Sequence, residues 1–115
     1  MYDTSSETSE LRRFAALSHP TRLVVFRRVM RAGPDGAAAG ALAEAAGVSP
    51  SNLSAHLAIL TDAGLITVRA EGRKRIFAPQ LESVASLVRF LVDECCDGHP
   101  EVCHALPKAE AFKKP

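Results

Sequence analysis

The sequence lacks what would place it in a membrane or outside the cell. No apolar run in its 115 residues approaches the roughly 20 needed to cross a bilayer. Its start, Met1 to Glu10, is acidic and rich in Ser and Thr, without the basic and apolar regions of a secretory signal. There is no tryptophan and almost no excess charge: 14 basic and 13 acidic side chains leave +1, a total that by itself argues against a nucleic-acid partner. Three cysteines are too few and odd in number for a disulfide framework. No internal repeat is found, and low complexity is confined to the Gly/Ala stretch Gly33–Ala46. What is present, 47% hydrophobic residues, is too much for disorder. One soluble cytoplasmic domain is expected, small enough for oligomerisation to complete its core.

Helical periodicity dominates. Residues 1–5 and the tail from about Pro107 read as loosely ordered. A first helix is predicted over Ser6 to Leu17, with Leu11, Phe14 and Leu17 spaced by threes. Pro20 fits the first turn of a second helix, where its missing N–H costs nothing; that helix carries Leu23, Val24, Phe26 and Met30 and stops near Gly33-Pro34. A short Ala-rich helix follows over Gly40 to Ala46, broken by Gly47. Ser49-Pro50 combines an N-cap with a proline at the first helical position and opens a helix to about Ala63. Leu65–Ala70 and Arg75–Ala78 read as a β-hairpin around Glu71–Lys74, ended by Pro79. A last helix, Leu81 to Cys95, places Leu81, Val84, Val88, Leu91 and Cys95 on one stripe.

Two helices joined by Gly47-Val48-Ser49 make a helix-turn-helix. With Leu53 at zero, Leu57 and Leu60 fall within about 40° of it, which marks the buried face. Ser51, Ala55, Ala58 and Asp62 fall opposite, flanked by Asn52 and Ser54. A face of such small residues suits close entry into a major groove, with Ser and Asn offered to base edges and Ala to a thymine methyl. His56 sits at the edge of the buried face, where a structural hydrogen bond is its simplest role. The hairpin that follows carries Arg69, Arg73, Lys74 and Arg75 around Gly72, the arrangement of a wing that tracks phosphates. The fold expected is mainly α with a small β-hairpin: a winged helix-turn-helix in the order ααααββα.

Leu17-Ser18-His19-Pro20-Thr21-Arg22, Ser54-Ala55-His56-Leu57 and Leu60-Thr61-Asp62-Ala63-Gly64-Leu65-Ile66 together resemble the ArsR/SmtB winged-helix metalloregulators, and the likeness runs from about Leu11 to Val92. The resemblance implies a homodimer joined through its first and last helices. It further implies a repressor that binds operator DNA and releases it when a metal or metalloid binds. For His56 it suggests a phosphate or supporting contact in the DNA-binding unit. DNA contacts are expected from Ser51, Asn52, Ser54, Ala55, His56, Arg73, Lys74 and Arg75.

All three cysteines fall in Cys95-Cys96-Asp97-Gly98-His99-Pro100-Glu101-Val102-Cys103. Burial as a small hydrophobe explains Cys95 alone. Gly98 and Pro100 end the helix and give Cys95, Cys96 and Cys103 the freedom to converge on one soft ion. A structural zinc site needs four ligands, so zinc, cadmium or lead would enlist His99 or His104. As(III) or Sb(III) takes three thiolates unaided. The Cys-x-Cys arrangement ahead of the recognition helix is absent, Ala37-Ala38-Ala39 standing there, and so are the carboxylate–histidine pairs of zinc sensors. The chain thus resembles arsenic-responsive members with cysteines at the end of the last helix. Asp93, Glu94, Asp97 and Glu101 disfavour thiolate, so binding must displace protons. A redox sensor or metallochaperone is the rival reading. For an enzyme, no base, oxyanion site or pocket is apparent. The expected division is 1–5 as a flexible start, 6–95 as the DNA-binding and dimerisation domain, and 96–115 as the cysteine-bearing segment and tail.

Overall fold

A computed structural model describes residues 4–95 together with His99 and Glu101. Five α-helices and three strands follow in the order α1 (Thr4–Leu17), α2 (Pro20–Ala32), β1 (Ala37–Ala38), α3 (Ala39–Ala46), α4 (Pro50–Asp62), β2 (Ile66–Glu71), β3 (Lys74–Pro79) and α5 (Leu81–Arg89). A 3-10 turn, Gly33–Asp35, precedes β1, and a π-helical segment, Phe90–Cys95, continues α5. The winged helix-turn-helix is thus present: α3 and α4 form the helix pair, and β2 with β3 form the wing.

The local signals act as the chain chemistry requires. The Ser49 hydroxyl accepts from the Asn52 N–H at 3.2 Å, capping α4 with Pro50 in its first turn. Gly47 ends α3 in the left-handed conformation at φ 69°, which a side chain would strain. At the start of α2, the cap is His19, whose Nδ1 accepts from the Thr21 N–H at 3.1 Å.

The core collects Val25 and Val29 of α2, Leu42 of α3, Leu53, Leu57 and Leu60 of α4, Leu65, Ile66, Phe77 of β3 and Leu87 of α5. The expected inward face of α4 is therefore correct, each leucine contributing about 1.5–3 kcal/mol by burial. Only Ile66 is buried on β2, and on β3 burial begins at Ile76, so the tip of the hairpin stands clear of the core.

Several expectations need correction. The sheet has three strands, in the order β1-β3-β2, not two: β1 pairs antiparallel with β3, Ala37 opposite Phe77 and Ala38 opposite Ile76. Gly36 makes this approach possible. Its φ is 77°, and a Cβ there would lie 2.9 Å from the Phe77 carbonyl oxygen. Helix α1 starts at Thr4, two residues earlier than expected, and the strands run Ile66–Glu71 and Lys74–Pro79, leaving Gly72-Arg73 as the turn.

The helical stripes differ more. Val25 and Val29 face the core, while Leu23 and Val24 are exposed; Leu11 is 57% exposed and Leu91 45%. The stripe expected from Leu81 is interrupted at the exposed Leu91, where α5 has given way to π-helical winding after Arg89; the side chain of Cys95, its last member, lies outside those described.

Candidate nucleic-acid interface

On α4, Ser51, Asn52, Ser54, Ala55, Ala58 and Asp62 are exposed and His56 is half-buried. The outward face is therefore largely the small, polar one expected, with the exposed Ile59 at its edge. Ser51 Oγ lies 3.3 Å from Ser49 Oγ, so the hydroxyls at the start of α4 share a hydrogen bond and are partly oriented before any ligand arrives.

His56 is held from α2. Arg22 reaches across with Nη1 3.3 Å from His56 Nδ1, while its Nε donates to the Ala16 carbonyl at 2.6 Å and its Nη2 to the Ala15 carbonyl at 3.4 Å. A guanidinium only donates, so Nδ1 of His56 accepts and the ring proton sits on Nε2. The His19 and His56 rings meet at a centroid distance of 4.6 Å, tilted by 45°. Burial, then the neighbouring His19 and Arg22, lower the His56 pKa below its ordinary value. Neutral His56 thus fastens the recognition helix to the start of α2, and two of the sequence motifs prove to be the two sides of one joint. Arg22 was not singled out from the sequence; its place in the motif with His19 is the only signal that could have found it.

The wing sorts its cations into two groups. Arg69 is engaged: Nε pairs with Glu71 Oε2 at 2.7 Å, while Nη1 and Nη2 donate to the carbonyls of Pro34 and Asp35 at 3.2 and 2.7 Å. It ties the wing to the turn before β1, which removes it from the basic cluster read in the sequence. Arg73, Lys74 and Arg75 are exposed and line a cleft of about 510 Å³ whose other wall is Ala38–Ala41. Arg75 packs its guanidinium carbon 5.3 Å from the centre of the Phe77 ring, which orients it. Helix α3 begins in this cleft with no side-chain cap, so its first N–H groups face the same space as the three cations.

Of the cysteines, Cys95 ends the π-helical segment, and its side chain is not described. Cys96 and Cys103 lie outside the described residues, as does His104; His99 is exposed. Among the described residues, no group of three or more His, Cys, Asp or Glu side chains is placed to hold a metal ion. No helix among them is long and apolar enough to cross a membrane.

Fold and site define a winged helix-turn-helix of the kind that presents a recognition helix and a basic wing on one domain. Residues 17–69 match the family model of a helix-turn-helix domain. The HTH-type transcriptional regulator YgaV of Escherichia coli (strain K12) is 33% identical over 81 residues, covering 70% of this chain and 80% of that protein. A probable mercury resistance operon repressor of Streptomyces lividans is 31% identical over 96 residues, covering 76% and 74%. Among solved structures, an ArsR-like transcriptional regulator from Rhodococcus sp. RHA1 superposes with a TM-score of 0.72 at 23% identity, over 88% of this chain and 92% of that one. The homodimeric winged helix-turn-helix DNA-binding domain of a possible ArsR-family regulator from Mycobacterium bovis gives 0.65 at 27% identity, over 87% and 94%. The chain belongs to the ArsR family of helix-turn-helix transcriptional regulators.

Proposed function

We propose that this protein is a dimeric repressor that binds operator DNA and lets go when a thiophilic metalloid, As(III) or Sb(III), is captured by Cys95, Cys96 and Cys103. The observation that carries the DNA half is the pairing of a mostly small, polar, outward face on α4 with three exposed cations at the wing. Ser51, Asn52, Ser54 and Ala55 read base edges. Arg73, Lys74 and Arg75, with the uncapped start of α3, take backbone phosphates. His56 contributes by holding α4 in place through Arg22.

Two things support a homodimer. Leu11 on α1 and Leu91 beyond α5 are exposed apolar side chains on the first and last helices, and the Mycobacterium bovis neighbour is homodimeric. The ring contact of Phe14 with Phe90, 6.2 Å between centroids, keeps these two helices side by side, so their exposed residues can form one surface.

The inducer half rests on the chemistry of the donors: three thiols within nine residues suit a soft ion that accepts three sulfur ligands. The likeness to a mercury resistance repressor favours Hg(II), equally thiophilic, as a second reading. The test is binding of the purified full chain to the DNA upstream of its own coding sequence. Sequence-selective binding that weakens in Asn52→Ala and Ser54→Ala is expected; equal affinity for unrelated DNA would sink the repressor reading.

A further inference from the structure

Glu10 is the one charged residue among the described residues that is fully buried, 2% exposed, and it lies away from every DNA-facing group. A carboxylate so placed must be satisfied on both oxygens. Oε1 accepts from Arg13 Nη1 at 2.9 Å, one turn on in α1, and Oε2 accepts from the Ser86 hydroxyl of α5 at 2.8 Å. Arg13 turns its remaining donors outward from α1. Nε donates to the Ala63 carbonyl at 3.3 Å, and Nη2 lies 3.5 Å from Ser83 Oγ of α5. Ala63 is the residue that closes α4, so its carbonyl is among those the helix leaves without an internal partner. A cation there also complements the negative end of the helix. Beside it, Arg12 Nη2 donates to the Asp62 carbonyl at 2.9 Å.

Helix α1 thus holds the C-terminal end of the recognition helix with two arginines and holds α5 with one buried carboxylate. The same arginine and carboxylate form an ion pair, so neither side of the joint can move without disturbing the other. The π-helical segment begins only four residues beyond Ser86.

We propose that Glu10 and Arg13 are positioning residues that couple α5 to the recognition helix, so that the seating of α5 against α1 sets how α4 is presented to DNA. This rests on the DNA-binding reading above for its functional consequence, but not for its structural one. Neither residue touches DNA; they act through the Ala63 carbonyl and the Ser86 hydroxyl.

The test uses Ser86→Ala in the full chain, a change on α5 at a position remote from the DNA-facing side of α4. Glu10→Gln, nearly isosteric, serves as a second variant, and Ser86→Thr restores a hydroxyl. Amide hydrogen exchange is followed at Leu60–Leu65, and affinity is measured for operator and for unrelated DNA at a temperature where each variant is folded. Expected are faster exchange at the end of α4 and an operator affinity lower by about tenfold, equivalent to 1.4 kcal/mol. Affinity for unrelated DNA should be unchanged, and Ser86→Thr should recover both properties. In an Arg13→Lys background, Ser86→Ala should add little, since both changes cut the same link. Unaltered exchange at Leu60–Leu65 in both Ser86→Ala and Glu10→Gln would overturn the proposal, as would independent, additive effects of Ser86 and Arg13. If the wild-type chain shows no operator preference at all, the repressor reading fails, and hydrogen exchange still decides the coupling.

Discussion

Removing the three wing cations should change how DNA binding responds to salt, whereas removing the fourth basic residue of the hairpin should not. Arg73, Lys74 and Arg75 are exposed beside the uncapped start of α3, and Arg69 is spent on Glu71 and two carbonyls. Each phosphate neutralised contributes a slope of about −0.9 to log K against log salt, so the triple alanine variant should lose up to about 2.7 per protomer. Between 50 and 200 mM salt, that corresponds to a roughly 40-fold smaller loss of affinity for each wing engaged. Arg69→Ala should leave the slope alone and act on stability. Its ion pair is half-exposed on both sides, 45% and 55%, and so contributes about 0–1 kcal/mol. The two bonds to the Pro34 and Asp35 carbonyls add about 0.5–1.5 kcal/mol each, for a total with the ion pair of about 1–4 kcal/mol. Fluorescence anisotropy over a salt series, with urea unfolding of the same variants, separates the two effects. A slope lowered by Arg69→Ala as much as by Arg73→Ala, or left intact in the triple variant, would refute this division of labour.

Other outcomes follow from the same geometry. His56 has a lowered pKa and binds Arg22 only when neutral; its stabilising bond is present above the ordinary histidine value and is lost as pH falls through the lowered one. Urea unfolding should therefore show a steeper loss of stability on acidification from about pH 7 to 5 in the wild type than in His56→Gln. Gly36→Ala should cost about 2–4 kcal/mol, because φ 77° strains any side chain and its Cβ would meet the Phe77 carbonyl; an unchanged melting temperature would count against β1 as a required strand. Leu11→Glu and Leu91→Glu should convert a dimer to a folded monomer in sedimentation, with operator affinity lost and circular dichroism retained. A dimer that survives both changes excludes the surface proposed here.

The helix-turn-helix was legible because its signals are local. Ser49-Pro50 starts α4, Gly47 stops α3, and Leu53, Leu57 and Leu60 mark one face over less than three turns. The wing was legible from Gly72 and its cations, although charge alone did not reveal that Arg69 is turned back onto the Pro34 and Asp35 carbonyls. What escaped depends on long-range pairing. Two alanines carry no strand preference of their own, and β1 exists because Gly36 lets it lie against β3. Leu11, Leu23, Val24 and Leu91 have the periodicity of core residues, but periodicity does not distinguish a chain's own core from a surface left for a partner. Glu10 and Arg13, three apart on a helix, have the spacing of an ordinary solvated ion pair; only the tertiary structure buries Glu10 and brings Ser86 and the Ala63 carbonyl to the two side chains. Nothing in the residues around Phe90 marks a change from α to π winding. The cysteine cluster is legible from donor chemistry: three thiols within nine residues suit one soft ion.

In the proposed mechanism, thiol capture at the end of the last helix releases DNA held by α4 and the wing. The decisive measurement titrates the operator complex with arsenite, antimonite, Hg(II), zinc and cadmium, alongside single Cys→Ser variants at positions 95, 96 and 103. Release by arsenite or antimonite at low stoichiometric excess is predicted, with loss of the response in each of the three variants and operator affinity unchanged without inducer. A complex that survives both metalloids, or an arsenite response intact in Cys103→Ser, would contradict the three-thiolate account.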